Sequence, residues 1–212
     1  ADGAVTGNTR RYGASLEKIK KVIAPRPGEI MFGLNMIVSK GKTVFVGDTS
    51  VHEYPSSEQL AEIAISASRV VRLFGFDPKV AFVSHSTFGQ PLTSRTKHIK
   101  NAVDILKEKG VDFKFDGDMQ PDVALNEQYK ELYPFSDIVG NANILIMPGQ
   151  HSAAISYKMM RELGGAKVIG PLLVGLAQPI EIAPLRSSTS DILNLASVAA
   201  YSAGVINYTK KN

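Results

Sequence analysis

The chain has 212 residues, of which 44% are hydrophobic and 21% are charged, a composition typical of a globular protein with a sizeable core. It contains no cysteine, which excludes disulfides, thiol nucleophiles and thiolate zinc sites and is compatible with the reducing cytoplasm, where we expect the protein. The formal net charge of +4 fits either a lysine-rich solvated surface or a partner that bears phosphates.

Two classes of partner are disfavoured by the sequence. There is no tryptophan, no interleaving of aromatic and basic residues and no recognition motif, so we expect no nucleic-acid partner. No apolar run approaches the roughly 20 residues needed to span a bilayer, so we expect no membrane partner. The opening run ADGAVTG is not a signal peptide and lacks an initiator methionine, which predicts that the chain is part of a longer protein.

Helix and strand signals alternate along the chain. Helices are predicted over 13–23, from a Ser56 or Ser57 cap to residue 74, and over 94–109, 122–132, 152–163 and 190–203. Strands are predicted over 30–38, 43–46, 80–83, 112–115, 144–147, 167–174 and 179–182, the first two as a hairpin. Strands separated by helices of this length predict an α/β fold with a largely parallel sheet and helices on its faces.

A polar loop, Ser84-His85-Ser86-Thr87-Phe88-Gly89, directly follows the predicted strand 80–83. Ligands of open α/β sheets lie beyond the carboxyl ends of strands, where hydroxyl and backbone N–H groups bind anions. Ser84, Ser86, Thr87 and Gly89 are therefore candidate binding residues. A polar turn without a ligand explains the same residues equally well.

Acidic residues cluster in the run 116–122, again after a predicted strand. Three acids so close together suggest a metal ion or a general base. A turn followed by a helix cap is the favoured interpretation, because the spacing does not match an EF-hand. No metal site is predicted.

His151 and Ser152 lie where a strand gives way to a helix, and the N-terminus of a helix favours anions. His151 is a candidate acid–base or binding group, although a lone histidine is more often structural.

Arg186 is followed by a hydroxyl-rich run that ends at Asp191, before the last helix. The arginine is suited to bind a phosphate or carboxylate, whereas Asp191 is either a base or a helix cap. From the residues alone, the prediction is an α/β domain that binds a phosphate-bearing small molecule.

Five blocks of the chain resemble the phosphate acetyltransferase family. In chain order they are SHSTFG, GDMQPDVALN, NANILIMP, the helix start HSAAISYK, and LGGAKVIGPLLVGLAQPIEI. The resemblance implies a two-lobed, three-layer α/β/α architecture of the isocitrate/isopropylmalate dehydrogenase type, with a cleft between the lobes. We expect residues 1–68 and 168–212 to form a first lobe, incomplete at its N-terminus, and residues 69–167 to form the second.

A narrower resemblance is to the C-terminal domain of bacterial hybrid NADP-dependent malic enzymes, carried by TVFVGDTSVHEYPSSEQLAEIA, YPFS and ELGGAKVIGPLLVGL. It implies that upstream domains decarboxylate malate to pyruvate with NADP and a divalent metal. Neither the NADP nor the metal is expected in this domain. The domain itself is implied to bind acetyl-CoA as an effector. A homodimer is also implied, with a larger assembly in the whole protein.

The chain departs from the active acetyltransferases at several positions. They carry a Ser-Arg pair seven and six residues before an aspartate, where this chain has Pro184 and Leu185 before Asp191. Glu17 replaces an arginine of the first helix, and Phe88 replaces a basic residue. Because donors aimed at developing charge contribute roughly 10²–10³ each in rate, these losses predict a domain without acyltransferase activity.

Two other interpretations stay open at this point. An active phosphate acetyltransferase would use Arg186 and Asp191 as its catalytic residues. An oligomerisation module would keep only a vestigial cleft.

Overall fold

The computed structural model describes the backbone of residues 1–211, and the side chains of these residues except Arg95 and 206–211. The elements are, in chain order, β1 (Ala4–Gly7), α1 (Tyr12–Val22), β2 (Phe32–Ser39), β3 (Lys42–Gly47), α2 (Ser57–Leu73), β4 (Lys79–Val83), α3 (Ser94–Lys109), β5 (Lys114–Met119), α4 (Pro121–Leu125), β6 (Ile144–Ile146), α5 (Gln150–Gly164), β7 (Lys167–Val174), β8 (Ile180–Ala183) and α6 (Thr189–Lys211).

Six strands form a mixed sheet in the order β5-β4-β6-β3-β2-β7. The pairs from β5 to β3 are parallel, whereas β2 is antiparallel to both β3 and β7. Strands β1 and β8 pair in parallel as a separate two-stranded sheet. The larger sheet contains strands from both predicted lobes: β2 and β3 come from residues 1–68, and β4, β5 and β6 come from residues 69–167. The division into lobes at these boundaries stays a prediction.

Helices cover both faces of the six-stranded sheet. Successive side chains of a strand point to opposite faces, so Phe45 packs with α2 and α3, whereas Val44 and Val46 pack with α4 and α5. This three-layer packing confirms the predicted α/β class.

Local signals set several helix ends as predicted. Ser56 caps α2, since its hydroxyl accepts from the Gln59 N–H while the Gln59 side chain accepts from the Ser56 N–H. Gly110 ends α3 in the left-handed conformation, with φ of 60°.

Several predicted boundaries were wrong, among them the end of the last helix, which runs to Lys211 instead of residue 203. Strand β5 runs to Met119, because Asp116 and Gly117 pair with β4 instead of forming a turn. Helix α4 ends at Leu125, because Asn126 caps a separate 3-10 turn by accepting from the Gln128 N–H. Helix α5 begins at Gln150, two residues before the predicted start. The short strand β1 was not predicted.

Candidate cavity and its residues

A cavity of about 800 Å³ opens where the start of α1, the loop after β3, α5, β7 and the segment before α6 meet. This volume lies within the roughly 300–1,000 Å³ typical of small-molecule sites. Its lining residues are Arg11, Tyr12, Thr49, Ser50, Gln150, Ala154, Tyr157, Lys158, Arg161, 168–171, 184–187, Asp191, Asn194 and Leu195.

Hydroxyl groups line the buried part of the cavity. Thr49 and Tyr157 are buried, and Tyr12 and Ser50 are half-buried. The Ser50 Oγ donates to the Tyr12 hydroxyl at 3.3 Å. Burial raises the pKa of both tyrosines, so their phenols stay protonated and neutral across the physiological range.

The Asp48 carboxylate holds the loop that presents Thr49 and Ser50. It accepts from the backbone N–H groups of Gly33 at 2.8 Å, of Ser50 at 2.9 Å, of Val51 at 3.2 Å and of His52 at 2.8 Å. The Nδ1 atom of His52 lies 2.8 Å from Asp48 Oδ2. Asp48 is only 1% exposed, and these backbone N–H groups supply the hydrogen bonds that its carboxylate needs. The same hydrogen bonds fix the conformation of the loop.

Positively charged side chains line the exposed part of the cavity. Arg11, Lys158, Arg161 and Arg186 are all exposed, and the lining contains one acid, Asp191. Arg161 pairs with Glu162 at 2.8 Å, whereas Arg11 and Arg186 have no ion pair among the described side chains. The Asp191 carboxylate accepts from both the N–H and the hydroxyl of Ser188, at 2.9 and 2.8 Å. The cavity therefore attracts anions at its mouth.

Of the candidate residues, the structure brings Arg186 and Asp191 into this cavity. Asp191 also takes part in the cap of α6, because its N–H donates to the Ser188 hydroxyl oxygen at 3.2 Å while its carboxylate accepts from the Ser188 N–H. Both interpretations of Asp191 from the sequence, as a site residue and as a cap, are thus compatible with its position.

The loop candidates lie elsewhere, around the buried Asp118. Gly89 N–H donates to Asp118 Oδ1 at 2.9 Å, and Ser86 Oγ donates to Asp118 Oδ2. Ser84 Oγ lies 3.0 Å from Ser86 Oγ, and Thr87 Oγ1 accepts from the Gln120 N–H. These four residues do not line the cavity, and their role in ligand binding stays a prediction.

His151 and Ser152 also lie outside the cavity lining. His151 is exposed in the first turn of α5, stacks on Tyr54 with ring centroids 6.2 Å apart, and lies 3.3 Å from Glu53. Ser152 Oγ donates to the Gly149 carbonyl at 2.8 Å. Their part in binding stays a prediction too.

The acidic run 116–122 does not converge on one point. Asp118 is buried in the network just described, and Asp122 accepts from the Tyr129 hydroxyl at 3.0 Å. Within the described part of the chain, no group of three or more histidine, aspartate or glutamate side chains is placed to hold a metal ion.

Most residues of the cavity lining were not predicted from the sequence. The run Gly47-Asp48-Thr49-Ser50 ends strand β3 and carries the same signal that selected the 84–89 loop. Tyr12, Tyr157 and Lys158 give no such signal, because each lies within a helix and nothing in the local sequence distinguishes it from an ordinary helix residue.

The fold and the cavity define an α/β protein with an anion-attracting site between helix starts and strand ends. The family model described as phosphate acetyl/butaryl transferase matches residues 1–200, and the chain belongs to this family. A phosphotransacetylase from Streptococcus pyogenes has the same fold, with a TM-score of 0.91 and 29% identity, covering 96% of this chain and 63% of that one.

Malic enzymes are among the similar sequences. The NADP-dependent malic enzyme of Rhizobium meliloti (strain 1021) is 48% identical over 204 residues, which cover 96% of this chain and 27% of that protein. A probable NADP-dependent malic enzyme of Rickettsia prowazekii (strain Madrid E) is 37% identical over 212 residues, covering 95% of this chain and 28% of that protein. Both parts of the predicted resemblance are confirmed, and the chain spans about a quarter of the malic enzymes that it matches.

The helices of residues 1–211 include none with the length and apolar character required to cross a bilayer.

Proposed function

We propose that this chain is an acetyl-CoA-binding regulatory domain of an NADP-dependent malic enzyme. In the whole protein, other domains would decarboxylate malate to pyruvate and would hold the NADP and the divalent metal. The similarity to malic enzymes over about a quarter of their length supports this assignment.

The cavity is the observation that carries the proposal. Acetyl-CoA has phosphate groups at one end and an uncharged thioester at the other. The cavity pairs an exposed cationic mouth, with Arg11, Lys158 and Arg186, with a buried part lined by neutral hydroxyl groups. Its volume of about 800 Å³ argues against a vestigial cleft and so against a pure assembly role.

The same cavity supports binding without acetyl transfer. Pro184 and Leu185 line it at the positions where the family resemblance implies a catalytic Ser-Arg pair. Neither side chain donates a hydrogen bond, and the Asp191 carboxylate is engaged by Ser188. Transfer to phosphate needs donors aimed at the developing charge, so the expected turnover is negligible.

Calorimetry with acetyl-CoA, together with an acetyl phosphate assay, tests the proposal. We expect saturable binding and no acetyl phosphate above the buffer background. Synthesis of acetyl phosphate that is lost in Asp191→Ala would overturn the non-catalytic assignment, and absence of binding would overturn the sensing role.

An active phosphate acetyltransferase is the second candidate, because Arg186 and Asp191 both line the cavity. In that case Arg186 would replace the missing arginine, and Arg186→Ala would abolish acetyl phosphate synthesis. If the regulatory proposal is correct, Arg186→Ala lowers only the affinity for acetyl-CoA.

A homodimer in the cytoplasm, within a larger assembly of the whole protein, completes the proposal. The cytoplasmic location rests on the cysteine-free composition. Exposed Ile155, Met159 and Leu163 form an apolar stripe on α5, at helical spacing, which supports self-association. Sedimentation should give a dimer that Met159→Glu dissociates, whereas a monomeric wild-type chain would contradict it.

A further inference from the structure

We infer that Tyr12 distinguishes acyl-CoA from free coenzyme A, by donating its phenolic hydrogen bond to the carbonyl oxygen of the acyl group. This inference rests on the proposed function, since it assigns a role within the same cavity.

The distribution of charge in the cavity gives the ligand an orientation. The cationic side chains are exposed and the hydroxyl side chains are buried or half-buried. A phosphate placed at the buried end would lose water without gaining a cation, at a high desolvation cost. The phosphates therefore stay at the mouth, and the neutral acyl end reaches Tyr12, Thr49 and Ser50.

The contacts of these hydroxyl groups favour Tyr12 as the donor to the ligand. Thr49 gives its proton to Asn35 Oδ1 at 3.2 Å, and Ser50 gives its proton to the Tyr12 oxygen. The Tyr12 proton itself has no acceptor among the described residues. Tyr157 interacts with Asn35 and lies beside the cations, since the Lys158 Nζ is 5.8 Å from the centre of its ring. Because burial keeps the phenol protonated, Tyr12 is a permanent donor in the cavity lining whose proton has no acceptor among the described residues.

The partner of Tyr12 is held rigidly. The Ser50 N–H donates to Asp48 Oδ1 at 2.9 Å, and the Ser50 hydroxyl lies directly over Gly33. A Cβ at Gly33 would overlap with the Ser50 Oγ, so the glycine is what allows this position. The fixed Ser50 hydroxyl in turn holds the Tyr12 phenol in place. A donor that is already held in place loses little entropy when it binds an acceptor.

A thioester carbonyl is a good acceptor, whereas the thiol of free coenzyme A is a weak one. The complex with acetyl-CoA therefore gains a hydrogen bond that the complex with coenzyme A lacks. Such a bond corresponds to about a tenfold difference in affinity.

Calorimetry with three ligands on the full chain tests the inference: acetyl-CoA, coenzyme A and S-ethyl-CoA, which lacks the carbonyl oxygen. The wild-type chain should bind acetyl-CoA about tenfold more tightly than either of the other two. Tyr12→Phe should remove this preference and leave the affinity for coenzyme A unchanged. Tyr54→Phe, an exposed tyrosine outside the cavity, is the matched control and should change nothing.

Arg186→Ala tests the phosphate end of the ligand separately from the acyl end. It should lower the affinity for all three ligands by the same factor. Equal affinity of the wild-type chain for acetyl-CoA and S-ethyl-CoA would overturn the inference without any variant being needed. Equal weakening of acetyl-CoA and coenzyme A by Tyr12→Phe would also overturn it, while the proposed function would stand. If the wild-type chain bound none of the three ligands, the proposed function would fail and the inference with it.

Discussion

Two buried carboxyl groups, Asp48 and Glu181, differ in the number of hydrogen-bond donors around them. Asp48 accepts four backbone N–H groups and lies against His52. Glu181, at 3% exposure, accepts a hydrogen bond only from the Leu173 N–H, at 2.9 Å, among the residues that the structure describes. Burial with a single donor favours the neutral acid of Glu181.

Asp48→Asn tests the role of the first carboxyl group. The amide keeps one oxygen and replaces the other by an NH₂ group, which faces the N–H of His52. We expect a loss of about 2 kcal/mol of unfolding free energy, typical of a hydrogen bond to a buried charge. Urea unfolding measures it, with Asp77→Asn as an exposed control expected to change the value by less than about 0.5 kcal/mol. Equal effects of the two substitutions would show that the Asp48 network does not stabilise the loop.

Glu181 predicts a dependence of stability on pH. Burial raises its pKa to about 8, above the value of 4.5 for an exposed glutamate. Between these values the folded state binds more protons than the unfolded state, so stability falls as the pH rises through this window. The loss between pH 5 and pH 8 should be about 3 kcal/mol.

Glu181→Gln provides the comparison, because it cannot ionise but can still accept from Leu173. The difference in unfolding free energy between the variant and the wild type should grow in favour of the variant from pH 5 to pH 8. A constant difference across this range would mean that Glu181 does not titrate there.

At the scale of elements, the bounds of helices and strands with strong local signals were predicted correctly, whereas the bounds of short or polar elements were not. Strand β7 and helix α3 have the predicted bounds, because apolar periodicity and a glycine stop agree. Strand β5 contains Asp116, Gly117 and Asp118, which favour turns locally. Its extension depends on pairing with β4, a distant contact that no local pattern reveals.

The connection from β8 to α6 contains a backbone conformation that its sequence does not favour. The Ser187 N–H donates to the Pro184 carbonyl at 3.2 Å, which closes a turn with Arg186 at its third position. Arg186 has φ of 63°, in the left-handed region that favours glycine. An arginine kept at such a position is consistent with a role for its charge at the cavity mouth.

Arg186→Gly should therefore stabilise the fold and weaken ligand binding together. We expect unfolding free energy to rise by about 0.5 kcal/mol and acetyl-CoA affinity to fall about fivefold. Leu185→Gly is the control in the same turn and should destabilise, because Leu185 has no positive φ to relieve. A loss of stability in Arg186→Gly would contradict the account of the turn, whatever happens to binding.

At the scale of the whole molecule, the cavity collects residues that are far apart in sequence. Its lining extends from Arg11 to Leu195 and includes the loop after β3, helix α5 and the start of α6. Arg186 and Asp191 were identifiable from a local polar run, whereas Tyr12 and Ser50 meet only because the two sheets pack together. The sequence can therefore predict that such a protein has an anion-binding site, but it cannot identify each residue that lines the site.

Because the cavity joins elements beside both sheets, a ligand in it should stabilise both. At 100 times its dissociation constant, acetyl-CoA should add about 2.7 kcal/mol to the unfolding free energy. Hydrogen exchange should report added protection both where β1 pairs with β8, at Val5 and Glu181, and where β3 pairs with β6, at Phe45 and Ile144. The Arg186→Ala variant, at the same ligand concentration, should show a smaller gain at both places. Protection confined to the β3–β6 pair would mean that the ligand does not engage the α6 side of the cavity, and the proposed mode of binding would then be wrong.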